Sequence, residues 1–147
     1  MDLITATGVL EAFAAEVGGT GPVVAVGGRT QWELGGPPGA GCREVRAPAG
    51  VVAFEPAEMV VRCRAGTTVA ELGAAVGERG QMVPLDPADP SRATVGGVLA
   101  AGQSGLRRLR YGPVRDLLLE TRFVTAEGRL VRAGAPVVKN VTGYDLC

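Results

Sequence analysis

The chain has 147 residues, 46% hydrophobic and 20% charged, the size of one globular domain and too apolar for a disordered segment. Fifteen Lys+Arg balance fifteen Asp+Glu, which excludes a protein organised around a nucleic-acid footprint, and the complete lack of histidine excludes a Ser-His-Asp triad and a His-ligated metal site. Three widely spaced cysteines, Cys42, Cys63 and Cys147, form neither a disulfide framework nor a CxxC metal pair, and read as free thiols in a reducing cytoplasm.

Leu10, Phe13, Ala14 and Val17 recur at helical spacing, and Gly18-Gly19 stops that helix. The start, Met1 to Leu10, has neither the basic region nor the long apolar core of a signal peptide, and no apolar run in the chain is long enough to cross a bilayer. Residues 22–26 predict a short strand running into Gly27-Gly28, followed by a Gly/Pro-rich loop from Gln31 to Gly41. Residues 44–47 suit another short strand. Residues 51–54 and 59–64 predict a strand pair, with Met59, Val61 and Cys63 on one face and Arg62 and Arg64 on the other. Thr68 and Glu71 make a capping box for a helix whose apolar face is Val69, Leu72 and Val76, with Gly80 placed to end it. An extended piece, 81–84, and a Pro-rich loop, 86–91, lead to a small-residue helix within 94–101 that starts at Gly96-Gly97. Residues 102–112 read as a basic loop. Residues 117–125 and 129–132 predict a hairpin turning at 126–128, and a tail follows. The 23 glycines and 10 prolines are not repetitive and cluster between apolar runs, as in a sheet-rich α+β domain with many tight turns.

Three segments carry chemistry. In the first, Gly27-Gly28-Arg29-Thr30-Gln31 follows a strand. Glycine lets the backbone approach a phosphate, successive N–H groups can form an anion nest, Arg29 can add charge and Thr30 a hydroxyl; a plain tight turn fits the isolated motif as well. It is neither a Rossmann GxGxxG nor a P-loop, which disfavours a nicotinamide-binding domain. In the second, Pro84-Leu85-Asp86 precedes Thr94-Val95-Gly96-Gly97 and Gly102-Gln103-Ser104-Gly105. Thr94 can cap a helix whose N-terminus favours a pyrophosphate, or the glycines can serve close helix packing. In the third, Gly112-Pro113-Val114-Arg115-Asp116 fixes a turn that Asp116 can fasten by accepting N–H bonds, a structural role in the first place. Arg107, Arg108 and Arg110 suit a solvated surface, or contact with an anion or a partner. Trp32, Lys139 and Tyr144 each suit ordinary packing or surface positions as well as cofactor contact.

In this order the segments, with the tail motif Lys139-Asn140-Val141-Thr142-Gly143-Tyr144-Asp145, resemble the FAD-binding PCMH-type domain of the vanillyl-alcohol oxidase family, and within it the flavin subunits of glycolate oxidase. The resemblance runs from about Pro22 to the end. It implies an α+β fold of two small α/β subdomains with FAD between them, the second subdomain incomplete and residues 1–147 forming part of the domain. It implies that Gly27, Gly28, Arg29, Thr30 and Gln31 hold the pyrophosphate, that Pro84 and Leu85 line the flavin region, and that Thr94, Gly96, Gly97, Gly102, Ser104 and Gly105 form the facing wall. Gly112, Val114 and Asp116 would shape the next loop, and Asn140, Gly143 and Tyr144 would approach the cofactor from the tail.

The resemblance further implies oxidation of a 2-hydroxy acid, an iron–sulfur and a second flavoprotein subunit as partners, and a cytoplasmic location reaching the inner membrane through them. Many family members tether flavin through His, some also through Cys. With no His, and no Cys in the Gly-rich loops, non-covalent FAD is expected here. The family continues beyond the Gly-Tyr-Asp motif with a further Gly-rich stretch and a substrate-covering domain, where its catalytic residues generally lie, so no catalytic residue is named. Lack of those strands would leave a sheet edge and apolar surface uncovered. The alternative is a non-catalytic association subunit or remnant that binds FAD weakly or not at all.

Overall fold

The computed structural model describes residues 3–135. The expectations placed on Lys139, Asn140, Gly143, Tyr144 and Cys147 lie outside them.

Helix α1, Leu3–Val17, begins earlier than its apolar spacing suggests and buries Ala14 and Val17. Its end rests on the 125–128 turn: a Cβ on Gly18 would stand 2.8 Å from the Gly128 Cα. Strands β1, Val23–Ala25, and β2, Arg43–Val45, pair in parallel with Val24 opposite Glu44. Parallel neighbours need a long crossover, and the Gly/Pro-rich loop supplies it. That loop contains a 3-10 turn at Trp32–Gly35.

Strands β3, Val51–Glu55, and β4, Val60–Cys63, form an antiparallel hairpin. Val61 and Cys63 pack inward as expected, and Arg62 points to solvent. Met59 does not share their face. It takes the left-handed position of the turn, with φ 53° and 80% exposure, because no glycine is available there to reverse the chain.

Helix α2, Val69–Gly77, starts on the expected capping box. The Glu71 N–H donates to Thr68 Oγ1 at 3.1 Å, and the Thr68 N–H donates to Glu71 Oε2 at 2.8 Å. Val69, Leu72 and Val76 are buried. Gly80, at φ 68°, closes the helix: its N–H donates to Gly77 O at 2.9 Å and the Gln81 N–H to Val76 O at 3.3 Å, the paired bonds of a Schellman ending.

Helix α3, Val95–Ala101, is capped by Thr94 and stopped by left-handed Gly102. It begins at Val95, one residue before the glycine pair. The basic segment expected as a loop contains a short helix, α4, Arg108–Tyr111. The strand expected from Leu117 starts later, because Val114–Leu117 coils into a 3-10 turn that buries Val114. Strands β5, Glu120–Val124, and β6, Leu130–Gly134, then form the expected hairpin.

The class is α+β, but among the described residues helix outweighs strand, and the strands form three two-stranded ladders instead of one sheet. Leu72, Val76 and Val95 pack against the β3–β4 hairpin, while Val69, Ala93, Val98 and Val114 form a second cluster; Leu99 of α3 touches both. Thr67, 1% exposed, ties the centre together. Its hydroxyl accepts from the Gly50 N–H at 2.9 Å and donates to Arg64 O at 2.7 Å, and its carbonyl accepts from the Val95 N–H at 2.8 Å. Glu120, with its side chain 10% exposed, pairs with Arg132 at 2.8 Å, Arg122 at 3.4 Å and Arg62 at 3.7 Å, joining the last hairpin to β4.

Candidate functional site

Beside this core lies a cleft of about 1140 Å³, larger than the roughly 300–1,000 Å³ that ordinary small-ligand pockets enclose. One wall is the turn after β1: Gly27, Gly28, Arg29, Thr30 and Gln31 all line it. The other is the start of α3 and the loop beyond it, including Thr94, Gly97, Ser104 and Gly105.

The two walls meet where glycine is obligatory. A Cβ on Gly27 would strike Thr94 Oγ1, and one on Gly28 would strike the Arg92 carbonyl oxygen. Among the described residues, none accepts a hydrogen bond from the backbone N–H groups of Gly27 to Gln31. Unsatisfied amides in a turn are the raw material of an anion nest. The carbonyls there are not idle: Arg46 donates to Gly27 O at 3.0 Å, and Arg92 donates to Gly28 O at 3.3 Å.

Arg29 adopts a left-handed backbone, φ 57°. Its guanidinium pairs with Glu44 and lies 4.8 Å from the Trp32 ring centroid. Trp32 lines the cleft while serving as this anchor. Thr94 Oγ1 accepts from the Gly97 N–H at 3.2 Å, satisfying one of the donors at the α3 start.

Asp86 organises the far end. It accepts from the Gly105 N–H at 2.9 Å and the Arg107 N–H at 2.9 Å. The Arg107 N–H is the main cause that holds its carboxyl below the ordinary value; slight desolvation opposes this, and the Gly105 N–H and the Arg107 charge assist. A Cβ on Gly105 would lie 2.5 Å from Asp86 Oδ2, so the contact depends on glycine. Asp86, Gln103 and Ser104 also face a small adjoining hollow of about 10 Å³, which Pro84, Leu85, Gly112 and Val114 help to line.

Three expected site residues line neither space. Gly96 serves packing: its N–H donates to Ala65 O at 2.8 Å, and a Cβ there would stand 2.8 Å from Ala65 Cβ. Gly102 is the left-handed cap of α3. Asp116 is exposed beside Gly112, where an added Cβ would stand 3.1 Å from its Oδ2; the loop-fastening N–H bonds expected of it are found at Asp86. Asn140, Gly143 and Tyr144 lie outside the described residues.

Asp86, Arg92 and Gln103 are among the lining residues to which the sequence alone assigned no role. The Pro-Leu-Asp motif held a signal for Asp86, but its partners come from a loop far along the chain. Neither Cys42 nor Cys63 lines the cleft, and burial pushes the Cys63 thiol upward, away from reactivity. Among the described residues no His/Cys/Asp/Glu cluster could hold a metal ion, and no helix is long and apolar enough to cross a membrane.

The profile of the family described as "FAD binding domain" matches residues 10–134. The chain is 40% identical over 126 residues to glycolate oxidase subunit GlcE of Escherichia coli, covering 85% of this chain and 36% of that protein. It is 38% identical over 87 residues to D-lactate dehydrogenase of Archaeoglobus fulgidus, covering 59% and 19% respectively. It is 35% identical over 96 residues to mitochondrial D-2-hydroxyglutarate dehydrogenase of Rattus norvegicus, covering 65% and 18%. The chain thus spans about a third or less of the length of these relatives.

Proposed function

The chain belongs to the FAD-binding domain family, and from that premise we propose that the cleft between the Gly27–Gln31 turn and the α3 start holds FAD non-covalently, with the diphosphate at the turn. The carrying observation is the convergence of two glycine-bearing segments, far apart in sequence, on one space whose first wall has five amides that no described residue claims. The donor set fits the group: neutral backbone N–H groups suit an anion without the desolvation cost of many buried cations. The chain has no histidine and no described cysteine faces the cleft, which supports a non-covalent attachment.

The larger protein would be a flavoprotein oxidising a 2-hydroxy acid. The three relatives differ in substrate, but each name refers to oxidation of such an acid. When bound, FAD supplies the capacity to accept a hydride equivalent; this chain's residues bind and orient it. The Gly27–Gln31 and 94–105 segments would belong to two facing subdomains, with Asp86 holding the 102–107 loop against the cofactor. Iron–sulfur and second flavoprotein subunits are the proposed partners, the assembly cytoplasmic and peripheral to the inner membrane through them. The GlcE relative is itself named as a subunit.

The competing reading, an association subunit with little or no affinity for FAD, draws on one observation: Leu106 is 84% and Leu109 90% exposed, beside Arg107, Arg108 and Arg110. Equilibrium dialysis of the purified full chain against FAD separates the two. Retention of one FAD per chain, with its fluorescence quenched and released intact on denaturation, is the expected result. No retention at FAD concentrations well above those of ordinary flavoproteins would favour the association reading.

A further inference from the structure

The nest amides do not orient themselves; the carbonyls that share their peptide planes are held by Arg46, which does not line the cleft, and by Arg92, which does. All described peptide bonds are trans, so the carbonyl and the N–H of one peptide unit point in opposite directions. The Gly27 carbonyl shares its plane with the Gly28 N–H, and the Gly28 carbonyl shares its plane with the Arg29 N–H. Arg46 holds the first carbonyl at 3.0 Å and Arg92 the second at 3.3 Å. Neither the Gly28 nor the Arg29 amide donates to a described residue. We propose that Arg46 and Arg92 are positioning residues that grip the Gly27 and Gly28 carbonyls, so that the Gly28 and Arg29 amides stay aimed at a diphosphate.

Both arginines are themselves held. Arg46 lies 3.7 Å from Glu44, which also pairs with Arg29; Arg92 lies 3.9 Å from Asp89. Three guanidiniums therefore share two carboxylates around this turn. Glycine freedom makes the grip necessary: a Gly-Gly pair samples many backbone states, and without a fixed carbonyl the amides would sample them too. The Arg46 and Arg92 side chains are 59% and 65% exposed, so they contribute little to fold stability. Orientation and stability are therefore separable by experiment.

The inference rests on the proposed diphosphate site, and its test uses two probes on the full chain. Calorimetric titration with inorganic pyrophosphate, followed by the amide resonances of Gly28 and Arg29, reads the nest without flavin. Titration with FAD reads the cofactor site. In the wild-type chain both ligands should move the two amide resonances. Arg46→Ala and Arg92→Ala should each weaken pyrophosphate and FAD by about tenfold, the order of one charge-assisted hydrogen bond lost through an intermediary. Arg46→Lys should recover most of that loss, adenosine affinity should be unchanged, and the thermal midpoint of the free chain should stay within a degree or two of wild type. Unchanged pyrophosphate affinity in both alanine variants, or amides that pyrophosphate does not move, would overturn the proposal. Pyrophosphate binding with that arginine dependence but no FAD binding would instead leave the positioning role standing and defeat the flavin reading.

Discussion

A methyl group at position 28 would land on the Arg92 carbonyl oxygen, whereas one at position 73 would meet nothing within 4 Å. Two glycine-to-alanine substitutions should therefore have opposite signs. Gly28→Ala forces apart the two walls of the cleft and should cost about 1–3 kcal/mol of stability, as overpacking does, with FAD binding lost. Gly73→Ala lies on the exposed side of α2 and should stabilise the chain by up to about 1 kcal/mol through helix propensity. Urea unfolding of both variants checks the pair; destabilisation by Gly73→Ala equal to that of Gly28→Ala would contradict the packing account. Thr67 offers a second residue-scale test. Thr67→Val keeps the shape but removes the acceptor of the Gly50 N–H and one of the two donors to the Arg64 carbonyl, which still accepts from the Thr67 N–H, and should cost about 1 kcal/mol by the same measurement.

Helix α2 is legible in the sequence because all its signals are local: Thr68 and Glu71 at the start, Val69, Leu72 and Val76 along one face, Gly80 at the end. Thr68→Ala should accordingly cost about 1 kcal/mol, read from the urea midpoint. Helix α4 is not legible, since Leu106 and Leu109 face solvent and give no periodic buried face to detect. The Gly96-Gly97 pair stands out in the sequence, but only the fold divides it: Gly96 packs on Ala65, while Gly97 lines the cleft. The loop held by Asp86 escapes for a different reason, because its partners Gly105 and Arg107 lie 19 and 21 residues away. That loop has a definite pH response. The folded-state value of Asp86 lies below its ordinary 3.8, so its contribution is complete above that pH and is lost as the pH falls through the lowered value. The Gly105 and Arg107 amide resonances should titrate together with a midpoint below 3.8; a shared midpoint above it would show that these bonds do not form in solution.

At the scale of the molecule, the arrangement joins two tasks. The core under α2 and α3 fixes the position of Thr94, and the crossover between parallel β1 and β2 brings the Gly27–Gln31 turn against it. Neither segment alone could enclose a dinucleotide; the cleft exists because Gly27 and Gly28 allow the two backbones to touch. The central claim is that both walls close on one cofactor. An amide-resolved NMR titration of the chain with FAD tests it most directly. Resonances in residues 27–31 and in residues 94–105 should shift together and saturate with a single dissociation constant at one FAD per chain. Shifts confined to one of the two segments, or two unrelated constants, would contradict it.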